Sequence, residues 1–489
     1  MRLLQEALGP ERRHEAIYVT MQFASGYEVN VFDLQVGCEY PLPLERAFLQ
    51  NFLALITLPP DISTPFEGMA QMISLVMDEA YRLCTDVPGA SPKRYRRGVE
   101  PMVDAALEKY RIELHAEDPL WRDVVTALCE ADEFRLAEIA QRHAVPLLQD
   151  LITAGRSDQV MDMFASLKIA LTAEQASQLF ERYIYDAIRK FPTLNSPTKL
   201  DFGSARVIVL DLQEVAPTGS AASNRQTEMM YLLARHILAR NFFLKPDYLR
   251  YVPEPVRHYH AQRFQDNYET VKRLDYDEWH RTLGSPQVRA QAELDSREGR
   301  KHNIQLGFSS QRLSDMGDSL ISQSTGRFVL RAGDEKEAEE VITRFNLSEA
   351  SASVVRNGLH GPGPDGAPFL AVLQVDNAKY EQLLVNTLGP VELWALSTTP
   401  GDTALRNRLY AAVGFSEALR RLSKIFPGGS ALKEIERRKA DRLRSGEIDA
   451  SAETGVIDQL TAELVDGRGI ALSLRPYEVE TGGFVIAAQ

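Results

Sequence analysis

The feature that most constrains this chain is a change of hydrophobic period near residue 200. From "LERAFLQNFLALI" through "PFEGMAQMISLVMDEAYRLC", "VEPMVDAALEKY", "LWRDVVTALCEA", "RLAEIAQRHAVPLLQDLI" and "AEQASQLFERYIYDAI", apolar residues recur three and four apart. That spacing is one face of an α-helix, repeated across a block interrupted only near residues 86–98. After the loop "FPTLNSPTKL" comes "ARVIVLDL", a continuous β-branched run. Such a run is the mark of a strand buried on both faces, as in a parallel sheet.

Strand and helix patterns then alternate. A helix over "RQTEMMYLLARHILARNFFL", another near 253–271, the short segment "LDYD", a helix near 286–300 and the strand "IQLGFSS" follow in order. "RFVLRA", "FLAVLQV" and "VELWALS" read as further strands, and the tail beyond about 402 is helical again. Upstream of the helical block, "AIYVTMQF" and "YEVNVFDLQ" read as two strands joined by a turn at Ser25-Gly26. The alternation predicts an α/β fold with a mostly parallel sheet and a large inserted all-helical domain. The expected divisions are 1–40 for the first strands of the core, 41–200 for the helical insertion, 201–425 for the main core and 426–489 for a helical tail.

Composition bounds the function classes. The chain of 489 residues has room for two to four domains. It is 44% hydrophobic and 25% charged, an ordinary globular balance. Its formal net charge of −13 argues against a general nucleic-acid coat, because phosphate binding needs concentrated basic surface. Cys38, Cys84 and Cys129 are odd in number and lack metal-ligand spacing, so they read as buried reduced thiols. The amino terminus meets charge too soon for a secretory apolar region, and no apolar run approaches the roughly 18–20 residues of a spanning helix.

The chemistry sits in "LDYDEWH" and "HNIQLGFSSQ". Asp277 and Glu278 follow one apolar segment, and Gln311 follows the next. In parallel α/β sheets, ligands bind beyond the carboxyl ends of the strands. One acid there would orient Mg²⁺, its neighbour would position an attacking water, and an uncharged donor such as Gln311 would sense a γ-phosphate. Arg297 and Arg300, on "AELDSREGRK", would stabilise phosphate charge in the same or a neighbouring subunit. Asp211 in "LDLQE" is a rival acid with a cleaner apolar lead, and spacing alone leaves the choice open. No G-x-x-x-x-G-K-[ST] phosphate loop occurs in the sequence. The nearest string, "GPGPDGAP" (361–368), carries Ala367 and Pro368 where Lys and Ser/Thr are needed, and reads as a turn. His258, His260, His280 and His302 show no metal spacing, and His258 and His260 read as helix-surface residues.

Several long blocks resemble the IcmB/DotO ATPases of type IVB secretion systems, and through them the conjugation-type secretion ATPases. These are "YEVNVFDLQVGCEYPLPLERAFLQNFL", "RVIVLDLQEVA…NRQTEMMYLLARHILAR", "DEWHRT…REGRKHNIQLGFSSQ" and "LGPVELWALSTTPGDTALRNRLY". The likeness spans about residues 27–425. It implies a RecA-like P-loop NTPase core with an inserted helical domain, ATP and Mg²⁺ as cofactors, and a hexamer. It also implies a cytoplasmic place at the inner membrane beside other type IV secretion components. On this likeness Asp277 and Glu278 are the Walker B acids, with Asp277 reaching Mg²⁺ through water. Gln311 matches the glutamine after the next strand, Arg297 and Arg300 an inter-subunit finger, and Asp211 becomes an edge residue beside the nucleotide.

Members of that family carry a phosphate loop upstream of the block at which this sequence starts. The likeness therefore implies a carboxyl-terminal portion, with the amino-terminal half of the core as its complement. A phosphate cradle supplies about three charge-assisted hydrogen bonds of roughly 1.5–3 kcal/mol each. Without it, affinity for nucleotide falls by about 10³–10⁶, to millimolar or weaker. Strand edges left without neighbours would favour self-association or docking to a complement. The competing reading is a non-catalytic docking or assembly module of the secretion machine.

Overall fold

The computed structural model describes residues 1–57, 67–114, 116–167, 171–363, 365–445 and 452–466. The chain divides into two units, one of Met1 and His14–Ser324, the other of Arg2–Arg13 and the chain from Thr325. Each is helix-rich with small sheets. The division falls inside the segment 201–425 expected to form one core.

The second unit begins with α1 (Arg2–Arg12), broken at Gly9. The first unit then opens with β1 (Ala16–Thr20). Its helical block comprises α2 (Pro43–Thr57), α3 (Met69–Leu83), α4 (Pro101–Lys109), α5 (Trp121–Glu130), α6 (Phe134–Gln141), α7 (Asp150–Gly155), α8 (Asp158–Ala165) and α9 (Ala173–Lys190). Local chemistry starts several of these helices. Thr172 accepts from the Gln175 amide at 3.2 Å while Gln175 accepts from the Thr172 amide at 3.1 Å, a reciprocal cap on α9. The α/β part follows as β2 (Val207–Asp211), α10 (Ala221–Ala239), α11 (Arg257–Glu269), β3 (Lys272–Tyr276), α12 (Pro286–Glu298), β4 (Ile304–Phe308) and α13 (Asp318–Gln323). The helical block and the α/β part share one apolar core, running from Met21 to Leu320 and including Phe32, Phe52, Met72, Phe180 and Phe264. The three cysteines are buried and unpaired. Burial pushes the Cys38 and Cys84 thiols up to about 12 and Cys129 up to about 11.

Strand pairing departs from the expected single sheet. β1 lies parallel to β2, with Ala16 opposite Val207 and Thr20 opposite Asp211. β3 lies parallel to β4, with Lys272 opposite Ile304 and Tyr276 opposite Phe308. No backbone ladder joins the two pairs among the described residues. β2 is also not buried on both faces, since Val207 and Val209 are exposed. Hydrophobic composition specifies a strand; whether neighbours cover it is a separate question.

Two predicted strands are not strands. Residues 27–35 carry Val29, Val31, Phe32 and Leu34 into the core on irregular backbone. Several of their amides find partners outside any ladder, two of them far along the chain: the Val29 amide donates to Thr193 O at 3.0 Å, the Asn30 amide to Thr198 Oγ1 at 2.7 Å and the Phe32 amide to Asn30 Oδ1 at 3.1 Å. With those donors taken, a ladder is not needed for burial. β1 therefore has a distant parallel partner instead of a hairpin partner. "VELWALS" is helical because Pro390 occupies the first turn and Glu392 accepts the Gly389 amide at 2.9 Å.

In the second unit β5 (Gly326–Val329), α14 (Glu335–Phe345), α15 (Glu349–Asn357), β6 (Ala367–Val375) and β7 (Ala378–Asn386) precede five helices. Those are α16 (Pro390–Leu396), α17 (Pro400–Val413), α18 (Phe415–Ile425), α19 (Leu432–Arg444) and α20 (Ala452–Asp466). β5, β6 and β7 form an antiparallel sheet in that order. The five helices enclose a second core around Trp394, Leu405, Leu409, Leu422, Ile435 and Leu460. The string "GPGPDGAP" is a turn into β6, closed by reciprocal amide–carbonyl bonds of Gly363 and Gly366 at 2.8 and 3.1 Å; Pro364 lies outside the described residues.

Candidate functional site

β3 and β4 are parallel and in register, so the residues that follow Tyr276 and Phe308 leave the sheet from the same edge. Pairing continues past both strands. The Ser309 amide donates to Tyr276 O at 2.9 Å, and the Trp279 amide donates to Ser309 O at 2.8 Å. Below this edge, Tyr276 and Phe308 stack with centroids 5.3 Å apart, and Trp279 meets Phe308 edge-on at 4.9 Å. Trp279 is fully buried, so the aromatic trio forms a dry floor.

The acid pair sits on that floor as a tight turn. Asp277 Oδ1 accepts from the Ser309 hydroxyl and from the Glu278 amide at 3.0 Å. Glu278 is held in the left-handed region, φ 51° and ψ 48°, and both carboxylates are exposed. Gln311 Nε2 donates to Glu278 Oε2 at 3.4 Å, a long bond. His280 Nδ1, a buried nitrogen with no hydrogen-bond partner among the described residues, lies 3.1 Å from the same oxygen. The structure thus brings Asp277, Glu278 and Gln311 onto one edge.

Surrounding polar bonds lock this arrangement. The His280 amide donates to Ser310 Oγ at 3.1 Å, and the Ser310 hydroxyl donates to Asp315 Oδ2 at 2.7 Å. Arg289 of α12 lies 5.3 Å above the Trp279 ring and donates to Thr282 O at 3.2 Å and Asp315 O at 2.8 Å. Arg281 donates to Ala216 O at 2.9 Å, tying the turn to the loop after β2. From α10, Tyr231 is raised chiefly by burial; Arg281 opposes this, and the charges of Asp277 and Glu278 add to it.

Asp211 is placed differently. It ends β2, in the other parallel pair, and both its oxygens are engaged: Tyr18 OH donates to Oδ2 at 2.7 Å and the Gln213 amide to Oδ1 at 2.9 Å. That bond is the largest cause of the raised pKa of Tyr18. Arg297 and Arg300 stand at the carboxyl end of α12 and in the turn that enters β4, so they lie at the amino edge of the β3–β4 pair. A five-residue strand is about 15 Å long. Within one chain the arginines are therefore kept from the acids by the length of the strand. Arg297 is exposed and faces Glu293 Oε2 at 3.5 Å. His260 is also not a surface residue: it is fully buried, with Nε2 2.8 Å from Val36 O.

Arg281, Arg289, Ser309 and Ser310 were not singled out from the sequence, and His280 was weighed there only as a metal ligand. Only the two serines had a visible signal, as polar residues directly after a strand beside Gln311.

The left-handed Glu278 yields a stability prediction. A β-carbon in this region costs about 1–2 kcal/mol, and glycine escapes that cost. Glu278→Gly is expected to be about 1 kcal/mol more stable than Glu278→Ala in urea unfolding. Equal midpoints would show that the turn relaxes.

The donor set fits part of a nucleotide–Mg²⁺ site. Asp277 and Glu278 offer exposed carboxylate oxygens suited to metal-bound water. Among the described residues, no group of three or more His, Cys, Asp or Glu side chains is arranged to hold a metal directly. No helix among them is long and apolar enough to cross a membrane.

No protein-family model and no curated protein matches the sequence. Among solved structures, the chain is similar to VirB4 of Thermoanaerobacter pseudethanolicus, with a TM-score of 0.42 and 15% identity over 79% of this chain and 84% of that one.

Proposed function

We propose that this chain carries the acid-pair portion of the ATPase core of a type IV secretion system, of the IcmB/DotO kind that its sequence blocks resemble. The observation that carries the reading is the common edge of β3 and β4, where Glu278 and Gln311 meet beside Asp277. In this reading Asp277, held by Ser309, orients water around Mg²⁺. Glu278 accepts a proton from the attacking water. Gln311 reports phosphate occupancy through its bond to Glu278. MgATP, when bound, would supply a phosphoryl group whose transfer to water, with ADP leaving, would drive substrate transfer or machine assembly. Arg297 and Arg300, on the opposite edge, act across a subunit boundary in a hexamer at the inner membrane. The G-x-x-x-x-G-K-[ST] cradle is not in this sequence, so holding the triphosphate itself is not assigned to these residues.

A second reading is a non-catalytic docking module built on the helical block. Binding of a non-hydrolysable ATP analogue, measured with and without an added chain bearing the G-x-x-x-x-G-K-[ST] loop, separates the two. The ATPase reading predicts millimolar or weaker binding and negligible hydrolysis by the chain alone. It predicts Mg²⁺-dependent hydrolysis in the mixture, lost by at least 100-fold in Glu278→Gln. Binding that stays absent in the mixture supports the docking module. Hydrolysis untouched by Glu278→Gln removes the assigned site.

A further inference from the structure

A polar atom beside the acid pair is left without a partner. His280 Nδ1 is shut off from solvent and makes no hydrogen bond among the described residues. It lies 3.1 Å from Glu278 Oε2. The backbone keeps these two side chains together. Glu278 takes left-handed angles, φ 51° and ψ 48°, so the chain turns sharply between the acid and the ring. The His280 amide then donates to Ser310 Oγ at 3.1 Å, which fixes the root of the ring to the end of β4.

A neutral imidazole carries its proton on one nitrogen only, and the two choices differ sharply here. With the proton on Nε2, the Nδ1 lone pair faces a carboxylate oxygen, and the approach is repulsive. With the proton on Nδ1, the same approach becomes a charge-assisted hydrogen bond once the ring turns into line. Water does not replace either partner, because the nitrogen is closed to solvent. Gln311 is the weaker donor to this oxygen. Its Nε2 stands at 3.4 Å, beyond the usual range of roughly 2.7–3.2 Å. The other carboxylate oxygen, Glu278 Oε1, makes no hydrogen bond among the described residues.

We infer that His280 is a positioning residue for Glu278, donating from Nδ1–H to Oε2. The inference rests on the ATPase reading above and deepens it. In that reading Gln311 has two duties, since it holds Glu278 and reports phosphate. When Gln311 turns toward a phosphate, its bond to Oε2 is lost. His280 then keeps Oε2 held and leaves Oε1 to meet the attacking water, so the base stays aimed while the sensor moves. Ionised Asp277 offers only acceptor oxygens and replaces neither donor.

Nitrogen-15 NMR of the full chain at about pH 8.5, where an ordinary imidazole is neutral, reads the tautomer directly. His280 is expected to favour Nδ1–H, and Glu278→Ala to lower the ratio of Nδ1–H to Nε2–H at least about tenfold. Gln311→Ala is expected to leave that ratio within about twofold. A parent that favours Nε2–H, or a ratio unmoved by Glu278→Ala, overturns the inference. So does a preference lost in Gln311→Ala, which would make Gln311 the holder of Glu278. Kinetics of the chain mixed with one bearing the G-x-x-x-x-G-K-[ST] loop give a second readout. His280→Ala is expected to lower kcat at least about tenfold with KM within about twofold. His280→Asn, whose amide can donate to the same oxygen, is expected to recover most of that loss. Equal losses in the two variants overturn the positioning role. A parent mixture that hydrolyses nothing overturns the ATPase reading, and the tautomer ratio still decides the bond between His280 and Glu278.

Discussion

Asp295→Ala is expected to destabilise the first unit by about 3–5 kcal/mol. Asp295 lies on α12, and Arg235 on α10 grips it with two bonds of 2.5 Å, Nε to Oδ2 and Nη2 to Oδ1. Gln291 adds a third at 2.8 Å, and Arg235 packs 4.9 Å from the Phe243 ring. The Asp295 side chain is 2% exposed and that of Arg235 13%. Removing one partner leaves the other charge buried and unpaired, which is the costly case. Replacing both by apolar residues of similar volume, Arg235→Met with Asp295→Leu, is expected to recover most of the loss. Urea midpoints of the two single variants and the double variant measure this. Single variants within about 1 kcal/mol of the parent would show that solvent reaches the pair. Since α12 joins β3 to β4, the Asp295 variant is also expected to loosen the turn that holds Glu278 near Gln311.

Acidification is expected to weaken the same unit well above the carboxylate range. His236 is buried with its ring stacked on Phe48 at 3.8 Å, and His260 is buried against Val36 O. Burial drives His236 well below its ordinary 6.5, helped by Arg240 and Arg235. Burial also lowers His260, to about 4; the bond to Val36 opposes the fall and Arg263 adds to it. Both rings are neutral in the folded protein, whereas the unfolded chain binds protons below about pH 6.5. Stability is therefore complete above 6.5 and is lost as pH falls from there through 4. For His260, the fall from 6.5 to about 4 is worth roughly 3 kcal/mol. Urea unfolding at steps between pH 7.5 and 4 is expected to show a falling midpoint, with a shallower slope in His260→Gln. A midpoint flat down to pH 4.5 would rule this out. Asp201, pulled down to about 2 against the opposing effect of burial by Arg135, the Gly203 amide and Arg142, loses its contribution only at lower pH.

Both predictions rest on contacts that the order of residues does not display. His260 has the surroundings of a polar helix, "RHYHAQRF", and its burial is decided by Val36, far away in sequence. Asp295 and Arg235 stand sixty residues apart on two helices, and nothing near either one marks it as paired. The acid pair was more legible. A strand, two carboxylates, a helix and a second strand ending in polar residues already constrain Asp277, Glu278 and Gln311, because parallel strands joined through a helix emerge at one edge. The same rule, applied to Arg297 and Arg300, puts residues before a strand at the other edge.

The sequence by itself determined the local elements: the helical period of 43–190, the β-branched run of β2, and the alternation that makes β3 and β4 parallel. These follow from backbone geometry and side-chain period, which act over a few residues. Tertiary structure alone decided which strands pair, why 27–35 stays irregular, that Glu278 turns left-handed, and that His260 is buried. Each of these depends on satisfying polar groups and covering apolar surface with partners tens to hundreds of residues away, and no local pattern records who those partners are.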